Sequence, residues 1–201
     1  INNINEIDIL NANKLGFKIK LLGFSELIDN KVYQRVHPTL INKSSYIASI
    51  DGVLNAVIIN GSPVGQNVIQ GEGAGPGATT SALVSDISSI LRGNIKFPFS
   101  ISNKERKKLN FDNISNRSFS AYLRFEVLDK PGILSNITNI FSQNKVSIKR
   151  LVQNPYRSKK YSSIVIITHL SKNKSLEKIL KKIEKKYYIL KKPKMIRIGA
   201  F

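Results

Sequence analysis

Apolar and polar positions in the first half of the chain predict one short helix followed by a series of strands. A helical pattern over Asp8 to Leu15 ends at Gly16, a residue that suits the C-terminal end of a helix. Short turns separate the stretches that follow, and strands joined in this way must be antiparallel, so we expect a meander sheet. The expected strands are 17–24, 32–36, 46–50, 53–59 and 64–70. A second helix is predicted to begin at Thr79 or Thr80 and to end at Gly93.

The second half alternates between strand and helix patterns in a different order. Strands are predicted over 119–128, 146–152, 163–169 and 194–198, with one helix opened by Pro131 and a Lys-rich helix before the last strand. This order, βαββαβ, is that of the ferredoxin-like fold. The fold class is therefore α+β, a mostly antiparallel sheet with helices followed by a ferredoxin-like module. We expect domains over 1–93 and 118–201, joined by a polar, basic linker over 94–117.

The net charge of +19 is confined to the second half of the chain. Residues 1–93 carry seven Lys/Arg and seven Asp/Glu, whereas residues 94–201 carry 25 and six. Five lysines of the Lys-rich helix share one face, opposite a second face of five large side chains: Leu176, Ile179, Leu180, Ile183 and Tyr187. This arrangement favours a solvated helix face, and a nucleic-acid interface is the less favoured alternative, because arginines are few and scattered.

Several classes of protein are excluded by composition. Zero cysteines exclude disulfides and thiol catalysis, and the two histidines, His37 and His169, are too far apart in sequence to have metal-ligand spacing. His37 is expected to be a core or turn residue. The chain has no apolar run of about 18 residues, so we expect no membrane span. It opens on Ile1 without a secretory signal, which indicates a piece of a longer protein in the reducing cytoplasm.

The segment GEGAGPGATTSALVSD, from Gly71 to Asp86, is the strongest chemical motif of the first half. A glycine run that leads into a helix exposes backbone amides at the positive end of the helix dipole, where a phosphate or cofactor can approach. A plain glycine turn that permits close helix packing explains the same residues. On physical grounds both interpretations stay open.

Four motifs in this order resemble the C-terminal part of homoserine dehydrogenase: KLGFKIKLLGFS, RVHPTLI, IDGVLNAVIING and GEGAGPGATTSALVSDI. The later segment RFEVLDKPGILSNITNIFSQNKVSIKRLVQ resembles the ACT domain that many bacterial members carry at this end. The family interconverts L-homoserine and aspartate 4-semialdehyde with NAD or NADP, on the route to threonine, methionine and isoleucine. The resemblance implies an oxidoreductase with an amino-acid-sensing domain. The alternative is a free-standing ACT-type sensor that is not an enzyme.

The resemblance also assigns roles to residues of this chain. Gly73, Ala74 and Gly75 would lie beside the bound dinucleotide of the complete enzyme, whereas the Rossmann fingerprint and the catalytic Lys and Asp of the family lie upstream of this sequence. We therefore expect no catalytic residue here, no cofactor bound by this chain alone, and no way to choose between NAD and NADP.

The ACT resemblance predicts an effector site at the start of the first helix of the module. Asp129, Gly132, Ile133 and Leu134 join the first strand to that helix, and amides at the helix start suit an amino-acid carboxylate. Asn144 is expected near the ligand at the interface of two such domains, with threonine as the favoured effector. A homodimer or higher oligomer is expected too, because the strands 53–59 and 64–70 are too apolar to remain exposed.

Overall fold

The computed structural model describes residues 4–94, 102, 104–155 and 160–199 and divides the chain into two compact units. The larger unit combines residues 1–43 with 109–201, and the smaller unit comprises residues 44–108. The predicted α+β class is confirmed by four helices and mostly antiparallel strands. The predicted domain limits, 1–93 and 118–201 with a linker over 94–117, remain a prediction. The two compact units have different limits from these.

The larger unit contains the predicted βαββαβ module. Its main strands are β6 (Ser118–Leu128), β7 (Ile148–Pro155), β8 (Tyr161–Thr168) and β10 (Lys194–Ile198), with helices α3 (Ile133–Gln143) and α4 (Asn173–Glu184). The strands lie side by side in the order β10-β6-β8-β7, all antiparallel, which is the ferredoxin-like arrangement. A two-residue strand, β9 (Ser171–Lys172), pairs with the start of β6.

A hairpin from the first part of the chain extends this sheet. Strands β1 (Phe17–Ile28) and β2 (Lys31–Asn42) pair antiparallel through a tight turn at Asp29 and Asn30, both of which have positive φ. β2 then pairs with β10 in parallel through Thr39 and Leu40. The predicted meander is therefore wrong, because β2 continues the sheet of the second half, and the next two strands form a sheet of their own.

The core of the larger unit occupies both faces of the sheet. On one face, α3 and α4 bury their apolar sides against β6 and β8, with Phe125, Ile137, Phe141 and Ile179 almost fully enclosed. The predicted sidedness of α4 (Asn173–Glu184) is confirmed for the helix itself: its leucines and isoleucines pack inward and its lysines face outward. Tyr187 departs from it, since it lies beyond the end of α4 and is 80% exposed.

Helix α1 (Glu6–Lys14) covers the opposite face of the sheet and is anchored there by a buried ion pair. Arg124 on β6 donates from Nε to Asp8 Oδ1 at 2.6 Å and from Nη2 to Asp8 Oδ2 at 3.2 Å. Tyr122 donates to the same carboxylate at 3.1 Å, and both members of the ion pair are buried. Although burial opposes its charge, the bonds that Arg124 donates to Asp8 raise the pKa of Arg124, so its guanidinium is charged at neutral pH.

Glu126 extends this network toward the surface. It accepts from Arg124 Nη1 at 2.5 Å and from Lys191 Nζ at 2.9 Å. Burial by itself raises the pKa of Glu126, but the bonds from Lys191 and Arg124 outweigh it and hold that pKa below its usual value. The stabilisation from Glu126 is therefore fully present above the pKa that Glu126 has in the unfolded chain. It is lost as the pH falls through the lower pKa that Glu126 has in the folded chain.

The smaller unit contains a two-stranded sheet and one long helix. Strands β3 (Leu54–Gly61) and β4 (Gly65–Glu72) form an antiparallel hairpin, and α2 (Pro76–Leu91) follows it. The strand predicted over 46–50 is wrong, because Tyr46–Ser49 is a 3₁₀-helix.

The predicted linker has structured parts as well: β5 (Asn110–Phe111) pairs with β2, and Ile114–Asn116 is a 3₁₀-helix. Residues 95–101 and 103 of that linker lie outside the described residues.

Apolar side chains in the smaller unit remain largely exposed. None of the residues of α2 is buried, and Leu83, Val84, Ile87, Ile90 and Leu91 are all more than half exposed. The hairpin is similar: the cross-strand pair Val57 and Ile69 is 58% and 61% exposed. A two-stranded hairpin is marginally stable by itself, so these surfaces need a further covering.

Candidate functional site

The connection from β6 to α3 holds most of the residues predicted for effector binding. The strand ends at Leu128, and Gly132 adopts a left-handed conformation with φ 85° immediately before α3 begins at Ile133. Pro131 thus precedes the helix instead of opening it, and the left-handed Gly132 lies between Pro131 and the first helical residue. Gly132 provides no side-chain cap, and the first amides of a helix have no partner within it. The Ile133 amide donates to Lys130 O at 3.4 Å, and the start of α3 is otherwise bare and positively polarised.

A cavity of about 330 Å³ lies beside this bare helix end. Its polar lining comes from three elements: Asp129 and Lys130 from the connection, Gln153 from β7 and Ser162 from β8. Gln153 Nε2 donates to Asp129 Oδ1 at 3.2 Å and to Ser162 Oγ at 3.3 Å, which holds the carboxylate in place. The cavity thus combines hydrogen-bond donors at the helix start with one acidic acceptor.

Four of the five predicted effector residues line this cavity, and Asn144 does not. Ile133 is 3% exposed and contributes to the core as well, whereas Leu134 is half-buried. Asn144 caps the other end of α3, where its Nδ2 donates to Ile140 O at 2.6 Å. An 11-residue helix is about 16 Å long, so Asn144 is remote from the cavity within one chain.

Gln153 and Ser162 were missed by the sequence reasoning. Both are uncharged and lie in strands, and nothing in their local pattern distinguishes them from other sheet residues. The antiparallel pairing of β7 with β8 brings them together at the end of the sheet where the β6–α3 connection lies. The signal that could have found them was the pairing itself, which a sequence pattern does not provide.

The predicted cofactor residues, Gly73, Ala74 and Gly75, lie together between β4 and α2. Gly73 donates its amide to Val53 O at 3.1 Å. A Cβ atom at Gly73 would lie 1.7 Å from the side-chain Nδ2 of Asn55, so a larger residue there would displace that exposed side chain. Gly75 has φ 117°, which favours glycine. The backbone geometry thus accounts for the glycine at Gly75.

Helix α2 begins earlier than predicted. Its first residue is Pro76, with Gly75 before it, and Thr79 and Thr80 lie within the first turns instead of capping the helix. Proline suits this position because its fixed φ matches the helix and its missing N–H is not needed there. The helix start therefore follows the glycine run directly and has no side-chain cap.

The basic face of α4 forms the remaining candidate surface. Lys178, Lys181, Lys182 and Lys185 are exposed along a shallow groove, and no aromatic side chain lines it. Base stacking on aromatic rings is the usual complement of charge in single-strand binding.

Within the described residues, no group of three or more His, Cys, Asp or Glu side chains could hold a metal ion. Among the described helices none has the length and apolar composition needed to cross a bilayer.

Two family models match the chain. Residues 1–88 match the model of homoserine dehydrogenase, and residues 121–186 match the model of the ACT domain. The second match lies within the βαββαβ module described above.

Curated relatives match over nearly the whole chain. Homoserine dehydrogenase of Neisseria gonorrhoeae is 35% identical and aligns with 100% of this chain and 47% of its own length. The Helicobacter pylori enzyme is 32% identical, over 98% of this chain and 47% of its own length. A solved structure of a homoserine dehydrogenase from Thiobacillus denitrificans covers 99% of this chain with a TM-score of 0.86 at 30% identity. The chain spans about half the length of these relatives.

Proposed function

The chain belongs to the homoserine dehydrogenase family, as the C-terminal part followed by an ACT domain, and on that premise we propose that it is the regulatory end of this oxidoreductase. Its ACT domain would bind a small amino acid and report its level to the catalytic part of the enzyme. The complete enzyme would interconvert L-homoserine and aspartate 4-semialdehyde with NAD or NADP, in amino-acid biosynthesis.

The observation that carries the regulatory proposal is the bare start of α3 beside the cavity at Asp129. A free amino acid is a zwitterion, so its site needs donors for the carboxylate and an acceptor for the ammonium group. The amide of Leu134 would donate to the carboxylate, joined by that of Ile133 in exchange for its long bond to Lys130 O, and the Asp129 carboxylate would accept from the ammonium group. Gln153 supports the proposal by fixing the orientation of Asp129.

Asn144 enters this proposal only through a second copy of the domain. Since it caps the far end of α3 in its own chain, it would approach a ligand bound between two ACT domains from the partner side. The site would then be incomplete in a monomer. This requirement links effector binding to self-association.

Calorimetric titration tests effector binding directly. We expect the chain to bind threonine, or a similarly small amino acid, when threonine, isoleucine, methionine and lysine are titrated separately. A dissociation constant above about 10 mM for all four, equivalent to a free energy weaker than roughly −3 kcal/mol, would refute the regulatory proposal. The ACT domain would then be a structural or dimerising module.

The glycine segment would contribute to the cofactor site of the complete enzyme. Gly73, Ala74 and Gly75 leave the backbone uncovered where it enters α2, and the uncapped start of that 16-residue helix suits a phosphate group. The nicotinamide, when bound, exchanges a hydride with the homoserine C4 carbon. The part of this chain would be to hold and orient the dinucleotide through main-chain amides.

The isolated chain is expected to be inactive as a dehydrogenase. The glycine run follows an antiparallel hairpin strand, and the described residues contain no Rossmann-type βαβ unit around it that would cradle a dinucleotide. With millimolar homoserine and NAD or NADP, we expect no reduction above the blank, while the full-length Helicobacter pylori relative serves as a positive control. Homoserine-dependent turnover by the 201-residue chain would contradict this expectation.

Self-association is expected at tens of micromolar, because the apolar hairpin and helix of the smaller unit are exposed. Light scattering should report a mass above the 22.5 kDa of one chain. Val57 and Ile69 are cross-strand partners on one face of the hairpin. The double variant Val57→Lys, Ile69→Lys should shift the mass toward that of the monomer. Val36→Lys is the control, since Val36 is 70% exposed but lies in the larger unit. A monomeric unmodified chain would refute the proposal.

A further inference from the structure

A second cavity lies within the larger unit, where β2 and β10 run side by side. It has a volume of about 260 Å³ and is lined by residues of β1, β2, β6 and β10 and of the segments that flank them. Phe24, Phe119 and Leu170 form its apolar walls. None of the residues assigned above to the effector or cofactor site lines it, so it is a separate feature of the molecule.

Unpaired polar atoms are concentrated at this cavity. Five buried side-chain atoms in the described part of the chain have no hydrogen-bond partner, and three of them belong to residues that line the cavity. These three are Tyr33 Oη, His37 Nε2 and Arg117 Nη2. Tyr33 and His37 are 5% and 8% exposed. Buried polar groups are nearly always satisfied in native proteins, so a cluster of three unpaired atoms indicates a missing partner.

Arg117 is held in a fixed orientation in which one of its nitrogens, Nη2, has no hydrogen-bond partner. Its Nη1 donates to Glu26 Oε2 and its Nε donates to Asp112 Oδ2, both at 2.8 Å. The guanidinium lies 4.4 Å from the centre of the Tyr33 ring. Glu26 is the one carboxylate of the lining, and this bond holds it against Arg117. The orientation of Arg117 therefore leaves Nη2 available for a further acceptor.

Arg197 brings a second buried positive charge to the same cavity. Its Nε and Nη2 donate to the neutral Oδ1 of Asn173, at 3.2 and 2.7 Å, and no salt bridge to a described carboxylate accompanies them. Burial, and then the charge of Arg35, lower the pKa of Arg197. The direction of this shift means that its charge is incompletely compensated by the protein.

His37 completes the polar lining. Its Nδ1 lies 3.1 Å from Pro38 O and 3.0 Å from Thr39 Oγ1, and its ring stacks on Phe24 with centroids 5.2 Å apart. Since Nδ1 is occupied, Nε2 is the atom left for a ligand. Burial lowers the pKa of His37, so the neutral ring is favoured; when its Nδ1 donates to Pro38 O, Nε2 is an acceptor, and it donates to an anion only in the protonated ring. The backbone contact and the stacking fix the ring, so the direction of Nε2 is set in advance.

We propose that this cavity binds a small organic anion, a carboxylate or a phosphate that carries an apolar portion. The oxygens of the anion accept from Tyr33 Oη and Arg117 Nη2 and neutralise the charge of Arg197. The apolar portion lies against Phe24, Phe119 and Leu170. The shared requirement is an oxyanion, because the unpaired tyrosine and arginine atoms are donors and the buried Arg197 has a neutral amide oxygen, and no described carboxylate, as its hydrogen-bond acceptor.

Isothermal titration calorimetry of the 201-residue chain, in Bis-Tris chloride buffer, tests the proposal with two probes, inorganic phosphate and 3-methylbutanoate. We expect one of them to bind with a dissociation constant of about 1 mM or tighter. Binding of phosphate identifies a phosphate ligand, and binding of 3-methylbutanoate identifies a carboxylate ligand with an apolar portion. If neither probe binds below about 10 mM, the proposal is overturned.

Tyr33→Phe and Tyr188→Phe form a matched pair of variants. Each removes one buried hydroxyl that has no hydrogen-bond partner, so both should fold as well as the parent chain, as a thermal melt verifies. Only Tyr33 lines the cavity, and Tyr188 belongs to the core beneath α3 and α4. Tyr33→Phe should weaken binding of the probe about tenfold, and Tyr188→Phe should leave it unchanged. Equal affinity in the two variants overturns the proposal.

Discussion

Replacing Asp8 by Asn is expected to lower the free energy of unfolding by about 3–5 kcal/mol, the usual cost of leaving one member of a buried ion pair uncompensated. Asp8 is fully buried and receives both Nε and Nη2 of Arg124. An Asn side chain keeps the shape but removes the negative charge, so the guanidinium of Arg124 remains buried with only Glu126 as its anionic partner. Helix α1 should detach first, since this pair anchors it to β6.

Urea unfolding followed by circular dichroism measures this loss. Glu6→Gln is the control: it makes the same kind of change in the same helix, at an exposed position, and should cost less than about 1 kcal/mol. An Asp8→Asn variant that unfolds at the same urea concentration as the control would show that the buried pair does not anchor α1.

Replacing Gly132 by Val is expected to weaken amino-acid binding by at least tenfold, equivalent to about 1.4 kcal/mol. A Cβ at Gly132 would meet no atom within 4 Å, so the branched side chain would extend into free space at the cavity mouth. The left-handed conformation adds a strain of about 1–2 kcal/mol to the folded chain. Calorimetric titration with threonine measures the change in affinity.

Gly16→Val controls for that strain. Gly16 has the same φ of +85° and equally free space around its Cβ position, but it lies between α1 and β1, away from the cavity. Both variants should lose similar stability, and only Gly132→Val should lose affinity. A loss of affinity in both would mean that strain, and not obstruction of the site, is responsible.

The βαββαβ module could be predicted from the sequence because its elements are long and strongly periodic. The alternation of Phe119 to Leu128 and the two-sided pattern of α4 reflect burial on one face, which is a local property of the chain. The connection at Asp129 to Gly132 was predictable for the same reason, since proline and glycine determine backbone conformation locally.

Long-range pairing could not be predicted from these patterns. The ion pair of Asp8 with Arg124 joins residues 116 positions apart, and the parallel contact of β2 with β10 joins the two halves of the chain. Neither contact has a periodic signal. The 3₁₀-helix at Tyr46–Ser49 was mistaken for a strand because a short apolar cluster fits both structures.

Glycine positions illustrate the same limit at the candidate cofactor segment. The sequence identifies the run, but it does not show that the side chain of Asn55, on the neighbouring strand β3, occupies the space beside Gly73. The start of α2 at Pro76 was obscured by Thr79 and Thr80, which are common capping residues.

Amino-acid binding at the start of α3 can be detected directly by a residue-resolved NMR titration with threonine. We expect saturable shifts of the backbone amides of Gly132, Ile133 and Leu134 and of the side-chain amide of Gln153, with Tyr33 and Arg197 unaffected. Shifts that are absent at 10 mM threonine, or that are largest at residues away from the cavity beside Asp129, would contradict it.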